Sequence, residues 1–337
     1  LPELTEDYDE RSSLAGWRIA IAILASLVAV ATFKSTAENL IGVRLAGSMG
    51  LVEAVRFGYA VTAAIWSVTL ILSPLLLVLL VKETGSKGRA VRDPFHPIQT
   101  LREVLRNRPF RLVAVIYMLG FTTADVVVTV FVWFLIFYVR VQKGFDVIVL
   151  GLVLSLAFLS MPLTVRLMHR FGKREAYIGT MAIYAVVLFI MSQIPPGGQW
   201  YVMVAAVFAG FGHGAINVIP WAMVADVVDV DELMTGKRRE GIYSGYMVFF
   251  RKLATALAIF LVTRVLAASG FVSGTGGSLG ETVQPDSALI ALRVLVGVVP
   301  SVMLVLSILV AWRYPLSKEA HQALLRRLEQ RRQASEA

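Results

Sequence analysis

Long apolar runs recur along the whole chain and are separated by short polar connections. Eight runs come close to the about 20 residues that a helix needs to cross a hydrocarbon core: residues 14–36, 57–81, 110–138, 147–167, 176–194, 201–224, 242–268 and 288–312. Stretches such as YAVVLFIM and SVMLVLSILVAW are apolar on every side of a helix, whereas a surface helix of a soluble protein has one apolar stripe. The pattern therefore predicts an all-α membrane protein with about eight transmembrane helices.

The composition indicates the same class of protein. Hydrophobic residues make up 57% of the chain and charged residues 16%, against about 25% charged residues in an ordinary soluble domain. The absence of cysteine excludes disulfides, thiolate catalysis and cysteine-ligated metals. The four histidines show no metal-ligand spacing, and the chain has no nucleophile or phosphate-loop motif. We therefore expect neither an enzyme nor a cofactor.

The net charge of +9 has two explanations, which are nucleic-acid binding and the enrichment of Lys and Arg in cytoplasmic loops. If both ends of the chain are cytoplasmic, as an even number of spans allows, most of the 32 Lys and Arg residues fall in inner loops and in the tail. This distribution favours the second explanation. We expect a multi-pass protein of the bacterial plasma membrane that contacts membrane lipids and no nucleic acid.

The longest polar connection is rich in Gly, Pro and Arg, and it divides the chain into a part with two spans and a part with six. We interpret residues 1–81 as the end of an N-terminal bundle, 82–109 as a cytoplasmic linker, 110–314 as a C-terminal six-helix bundle and 315–337 as a cytoplasmic tail helix. Two six-span halves joined by a basic cytoplasmic loop are the plan of major facilitator transporters. The chain does not begin with Met, so we expect a fragment equivalent to spans 5 to 12 of that plan.

Two polar segments have the pattern of amphipathic helices. In PIQTLREVLRN the apolar residues Ile98, Leu101 and Leu105 lie opposite Arg102 and Arg106, which is typical of an interfacial helix. In the tail, four leucines form an apolar side that we expect to lie on the inner face of the bilayer: Leu316, Leu324, Leu325 and Leu328.

Four blocks of sequence together resemble the glycoside-pentoside-hexuronide:cation symporter family of the major facilitator superfamily. They are LPELTEDYDERSSLAG at 1–16, ADVVDVDELMTGKRREG at 225–241, FFRKLATALA at 249–258 and YPLSKEAHQALLRRLEQRR at 314–332. The resemblance spans the chain and implies cation-coupled symport, with Na⁺ or H⁺, of a sugar or glycoside by a monomer. It also implies that the cation ligands lie in helices upstream of residue 1. Two alternatives stay open: a transporter of another solute such as a lysophospholipid, and a non-transporting receptor or scaffold on the same fold.

Charged side chains inside the predicted spans are functional candidates, because each costs about 2.5 to 3.5 kcal/mol at the bilayer centre. Lys252 lies near mid-depth and matches the lysine that the resemblance places close to the cation and sugar sites; the alternative is a structural lysine paired with a carboxylate. Arg251 is turned by about 100° from it, so we expect only one of the two to face a cavity. Asp125 is also at mid-depth, and three roles stay open for it: binding a sugar hydroxyl, taking up a proton, or pairing with Arg251 or Lys252.

The segment AGFGHGAINVIPWAM, residues 209–223, combines small, polar and aromatic residues. Asn217 and Trp221 are one helical turn apart and offer the amide and the aromatic face that a sugar site needs. Tyr117 and Tyr246 lie away from the span ends and are further candidates for substrate binding. Three glycines in the segment allow close helix packing: Gly210, Gly212 and Gly214.

Acidic residues are concentrated where the predicted span 201–224 ends. Asp226 and Asp229 are three residues apart and fall on one helix face. Inner loops supply complementary charges for a cytoplasmic gate, namely Arg11, Lys173, Arg174 and Arg239. We predict that Asp226 and Asp229 pair with Arg11 and Arg174 and so latch the two bundles shut on the cytoplasmic side. The alternative is a solvated loop.

Overall fold

The computed structural model describes residues 21, 24–26, 28–29, 32–80, 97–142, 144–236, 239–272 and 283–336. These residues form helices and no strand, which confirms the all-α class. The predicted span 14–36 lies largely outside the described residues. Contacts divide the described residues into a first unit, within residues 21–80, and a second unit, within residues 97–336.

The first unit contains a long helix with a shorter helical stretch packed against it. A π-helical segment, Thr36–Gly42, is followed by α1 (Val43–Met49) and α2 (Leu51–Leu80). A Cβ atom added at Gly58 would lie 2.2 Å from the carbonyl oxygen of Ala37, so glycine permits this close approach. The Tyr59 hydroxyl donates a hydrogen bond to Glu38 Oε1 at 2.8 Å, which joins α2 to the π-helical segment.

The second unit is a bundle of helices. They are α3 (Pro97–Arg106), α4 (Arg108–Trp133) with a π-helical extension (Phe134–Val139), α5 (Phe145–Leu159), α6 (Met161–Phe171), α7 (Lys173–Met191), α8 (Gln199–Thr235), α9 (Glu240–Ala268), α10 (Asp286–Arg293) continuing through a π-helical segment (Val294–Val298) into α11 (Val299–Trp312), and α12 (Lys318–Glu336). The helix α3, which the sequence predicts within the linker, lies in this second unit.

Six helical segments in the described part of the chain are long and apolar enough to cross a membrane, or seven if α5 and α6 form one span. Each predicted span from residue 57 onward has a counterpart among them. The predicted span 147–167 differs, because α5 and α6 are bent by 42° where they meet. Pro162 in the first turn of α6 has no N–H to continue the hydrogen-bond ladder of α5, and its ring disfavours straight helix.

The central helix α8 packs closely because of its glycines. A Cβ atom at Gly212 would lie 2.4 Å from Cγ of Tyr184 in α7. One at Gly214 would lie 2.4 Å from Ser160 Oγ and 2.6 Å from the carbonyl oxygen of Ala157. These distances are below any ordinary contact, so the prediction that small residues bring these helices together is confirmed.

Polar groups inside the bundle bind each other, as the absence of water in a bilayer requires. The Tyr177 hydroxyl lies 2.5 Å from Ser307 Oγ, and the Ser301 hydroxyl donates to the carbonyl oxygen of Ala185 at 2.8 Å. Both contacts join α7 to α11. Arg293 donates from Nε to the carbonyl oxygen of Ser192 at 2.9 Å, at the end of α7 where the helix dipole favours a cation.

Candidate functional site

Asp125 and Arg251 face each other between α4 and α9, about halfway along both helices. The Thr255 hydroxyl donates a hydrogen bond to Asp125 Oδ2 at 2.5 Å. Nη2 of Arg251 lies 3.9 Å from Asp125 Oδ1, which is within ion-pair range and longer than a hydrogen bond. The carboxylate that the sequence places at mid-depth is therefore paired with Arg251 rather than with Lys252.

A row of aromatic rings continues from this ion pair toward α8. The guanidinium carbon of Arg251 is 4.3 Å from the ring centroid of Phe121, a cation–π contact. Phe121 packs on Tyr117 at 4.5 Å, and Tyr117 meets Trp221 edge to face at 5.6 Å between centroids. Since Tyr117 is only 2% exposed, its ring supports the half-buried Trp221 and presents almost no surface of its own.

Helix α8 adds polar groups to the same region. Nδ2 of Asn217 donates to the carbonyl oxygen of His213 at 2.9 Å, and Trp221 follows one turn later. His213 interacts electrostatically with Asp125 and Arg251. Five half-buried residues thus form a polar patch at mid-depth of the second unit: Asp125, His213, Asn217, Arg251 and Thr255.

Two other predicted residues lie apart from the polar patch. Lys252 is exposed, and no hydrogen bond or ion pair joins it to a described residue; Arg251 rather than Lys252 is the cation of the patch. Tyr246 lines an apolar groove of about 500 Å³ between α3 and the first turns of α9, together with Ile98 and Phe249. Tyr246 therefore contributes to this groove.

A second cluster lies at the end of α8 that the sequence predicts to be cytoplasmic. Asp226, which is 3% exposed, forms an ion pair with Lys173 at the start of α7. Nε2 of His321 in the tail helix α12 lies 3.3 Å from Asp226 Oδ1 and 3.1 Å from Asp229 Oδ2. The two acids are on one helix face, as predicted, and they hold the tail and α7 to α8.

Further contacts fasten the tail helix. Nζ of Lys318 donates to the carbonyl oxygen of His169 at 2.6 Å, and Leu328 is 5% exposed. Ser317 Oγ accepts from the backbone N–H of Ala320 at 3.3 Å and so caps α12. The backbone N–H of Glu319 and the Ser317 hydroxyl lower the pKa of the Glu319 carboxyl. The burial of Leu328 corrects the expectation that it lies on the bilayer surface.

The structure changes the predicted partners of the acidic pair. Asp226 pairs with Lys173 and not with Arg174, whose Nε lies 3.7 Å from Glu175 Oε1. Arg11 lies outside the described residues. His321 is the partner that the sequence analysis missed, because no local pattern indicates a contact between residues 92 positions apart. The three groups Asp226, Asp229 and His321 have metal-ligand spacing, but the Lys173 ammonium already neutralises Asp226.

Arg239 lies in a separate ion-pair network at the turn between α8 and α9. It donates from Nε and Nη2 to the two carboxylate oxygens of Asp231 at 2.9 and 2.8 Å, and from Nη1 to Glu103 of α3 at 2.8 Å. The hydrogen bonds to Asp231 raise the pKa of the Arg239 guanidinium. Arg239 therefore holds α3 against the α8–α9 turn within the second unit.

A bundle of membrane-spanning helices with ionisable and aromatic residues at mid-depth is the arrangement of secondary transporters. The chain belongs to the MFS/sugar transport protein family, whose model matches residues 1–318. This agrees with the family that the four sequence blocks indicate.

Comparison with known proteins shows three further similarities. The chain is 29% identical over 252 residues to the uncharacterized symporter sll1374 of Synechocystis sp., which covers 75% of the chain and 46% of that protein. It is 27% identical over 348 residues to a putative 2,3-dihydroxypropane-1-sulfonate exporter of Escherichia coli, covering 99% of the chain and 69% of the relative. It is 22% identical over 352 residues to the sodium-dependent lysophosphatidylcholine symporter 1-B of Danio rerio, covering 98% and 66%. The chain thus spans from under half to about two thirds of the length of these relatives.

Proposed function

We propose that the protein is a secondary active transporter that carries a sugar or glycoside across the bacterial plasma membrane together with Na⁺ or H⁺. Two bundles would alternate access to a site at mid-depth, with both ends of the chain in the cytoplasm. The observation that carries the proposal is the polar patch. Membership of the MFS/sugar transport protein family and similarity to proteins named as symporters support it.

The position of the polar patch argues that it lines a cavity. Half-buried ionisable and amide groups halfway along membrane helices are costly when they face lipid, so they line a water-filled or ligand-filled space. Asn217 and Asp125 offer hydrogen-bond partners for hydroxyl groups, and Trp221 offers the aromatic face on which a sugar ring packs. The roles of Lys252 and of the coupling-ion ligands stay predictions of the family resemblance.

Uptake measurements test the proposed function. Cells that make the intact protein should accumulate at least one radiolabelled neutral or anionic glycoside, and an imposed Na⁺ or H⁺ gradient should raise the initial rate. Asn217→Ala and Trp221→Ala should each lower that rate more than about tenfold, because each removes one side of the expected site. Trp200→Ala is the matched control, since Trp200 is 74% exposed at the start of α8. Absence of uptake of every solute by protein that reaches the membrane would favour a receptor or scaffold.

Transport of a lysophospholipid is the second candidate function. The similarity to a lysophosphatidylcholine symporter supports it, and so does the apolar groove beside Tyr246, which suits an acyl chain. Uptake of a fluorescent lysophospholipid, in competition with unlabelled glycosides, separates the two candidates. The sugar proposal is wrong if the cells take up the lysophospholipid, glycosides do not inhibit that uptake, and no glycoside is taken up. Transport of a lysophospholipid would then be the function.

A further inference from the structure

We propose that Arg251 binds the anionic group of the substrate, so that the polar patch selects a sugar or polyol that carries a sulfonate, carboxylate or phosphate. This inference rests on the proposed function, because it assigns a substrate class to the same site. The three groups share the chemistry of an oxyanion with several acceptor oxygens, which matches the planar fork of N–H donors on a guanidinium.

The hydrogen bonding of Arg251 is incomplete in the described structure. Its Nε is buried and has no hydrogen-bond partner among the described residues. The nearest carboxylate oxygen, Asp125 Oδ1, is 3.9 Å from Nη2, so the ion pair leaves hydrogen-bonding capacity unused. A buried donor without a partner is destabilising. Since Nε has no accessible surface, an oxyanion ligand would contact the remaining, exposed part of the side chain.

The surroundings of Arg251 orient the guanidinium and leave it accessible. The Phe121 ring lies 4.3 Å from the guanidinium carbon, which restricts the plane of the group. The side chain is nonetheless 38% exposed on the second unit. A ligand can therefore approach a donor group whose orientation is already set, an arrangement that lowers the entropy cost of binding.

The pairing of Arg251 also favours an anion. Asp125 is the carboxylate of the polar patch, and it already accepts a hydrogen bond from Thr255. The ion pair between Arg251 and that carboxylate is 3.9 Å long, outside hydrogen-bond distance, so the guanidinium keeps N–H donors for a second anion. An anionic substrate would bind those donors.

Binding of matched ligand pairs tests the proposal. The intact protein, purified in detergent, is titrated with pairs that differ only in the anionic group: methyl glucoside against methyl glucuronide and against its 6-sulfonate, and glycerol against 2,3-dihydroxypropane-1-sulfonate and glycerol phosphate. Thermal stabilisation and tryptophan fluorescence report binding. At least one anionic member should bind more than about tenfold tighter than its neutral partner.

Substitutions at Arg251 then separate ligand binding from a structural role. Arg251→Gln should weaken binding of the anionic ligand at least about tenfold more strongly than binding of its neutral partner. Arg251→Lys keeps the positive charge and loses the planar set of N–H donors, so it should weaken binding of the anion by an intermediate amount. It also tests the proposal if Arg251→Gln does not fold. Arg264→Gln is the control, because Arg264 is exposed on the same helix and should change neither affinity.

Three results would overturn the inference. Equal losses for neutral and anionic ligands in Arg251→Gln would make Arg251 a structural partner of Asp125. Tighter binding of the neutral members, with gradient-driven uptake of neutral glycosides, would refute the anionic class and leave the proposed function standing. Absence of both binding and uptake for all members of the series would overturn the inference and the proposed function together.

Discussion

Arg251 and Lys252 are neighbours on α9, but they have different environments and are expected to have different roles. Arg251 is half-buried against Phe121 and Asp125, whereas Lys252 is exposed. Consecutive side chains on a helix point about 100° apart, so one packing surface takes only one of the two. Lys252, the cation that the family resemblance singles out, therefore does not share the packing surface of Arg251, and its role stays a prediction of that resemblance.

Substitution of Lys252 tests that role. Lys252→Met keeps the length of the side chain and removes its charge, and we expect coupled uptake to fall more than about tenfold with membrane abundance unchanged. Initial rates of gradient-driven uptake, normalised to protein in the membrane, measure it against the control Arg264→Met. Uptake at the parental rate would show that Lys252 is dispensable, and a loss of abundance would favour a structural pair.

Arg239 should stabilise the fold, because its guanidinium binds two carboxylates. Arg239→Gln removes the bidentate contact with Asp231 and the hydrogen bond to Glu103, and leaves the buried Asp231 carboxylate without its guanidinium. Hydrogen bonds to charged groups contribute about 1.5 to 3 kcal/mol, so the unfolding temperature in detergent should fall by several degrees. Arg102→Gln, at an exposed position on α3, should have little effect. Equal effects of the two substitutions would contradict a specific role for Arg239.

At the scale of helices, the close packing of α8 depends on positions that tolerate no side chain. Gly212 and Gly214 lie against Tyr184 and Ser160 at distances that exclude a Cβ atom. In a bilayer, where lipid tails are as apolar as the helices, such close van der Waals contact is a main source of helix association. Close contact of neighbouring helices with the backbone of α8 therefore holds the centre of the second unit together.

A pair of glycine substitutions tests this packing. Gly214→Ala would place its Cβ 2.6 Å from the carbonyl oxygen of Ala157, and overpacking of this kind costs about 1 to 3 kcal/mol. Gly179→Ala is the matched control, since nothing lies within 4 Å of an added Cβ there and alanine favours helix. We expect a lower unfolding temperature for the first variant and an equal or higher one for the second. The reverse order would contradict the packing of α5 against α8.

At the scale of the whole molecule, the tail helix is part of the second unit. His321 contacts Asp226 and Asp229, and Lys318 binds the carbonyl oxygen of His169. Asp226 and Asp229, which the sequence analysis assigns to a latch between bundles, thus contact α7 and the tail helix. Removal of either partner would leave Asp226 buried with reduced charge compensation, which is costly.

Labelling of a single introduced cysteine tests the role of the acids in closure. In the intact protein with Asn217→Cys, neutralisation by Asp226→Asn with Asp229→Asn should speed alkylation from the cytoplasmic side if the acids help to close it, because contacts that contribute a few kcal/mol are enough to bias two states. His321→Leu should speed it similarly if the tail carries the effect. If Arg11 carries it, the swap of Arg11→Asp with Asp229→Arg should restore slow labelling. Unchanged rates in all variants would show that the cluster does not control access.

The sequence by itself determined the membrane class, the spans from residue 57 onward that the structure describes, the family, and the position of Asp125 about halfway along its helix. These follow from local quantities: the length of an apolar run, the order of sequence blocks, and the distance of a residue from the end of its span. The helix face shared by Asp226 and Asp229 is local in the same sense, because it depends only on the helical repeat.

Only the tertiary structure decided which of these residues meet. Asp125 is paired with Arg251 and Thr255, Asp226 with Lys173, and Arg239 with Glu103. Those partners are far apart in the chain, and which side of each helix faces which neighbour is set by packing that no local pattern encodes. The sequence did not predict the bend at Ser160 or the contact of His321 with Asp226 and Asp229. Both depend on how whole helices pack in three dimensions. Hydrophobic periodicity indicates only which side of a helix is apolar.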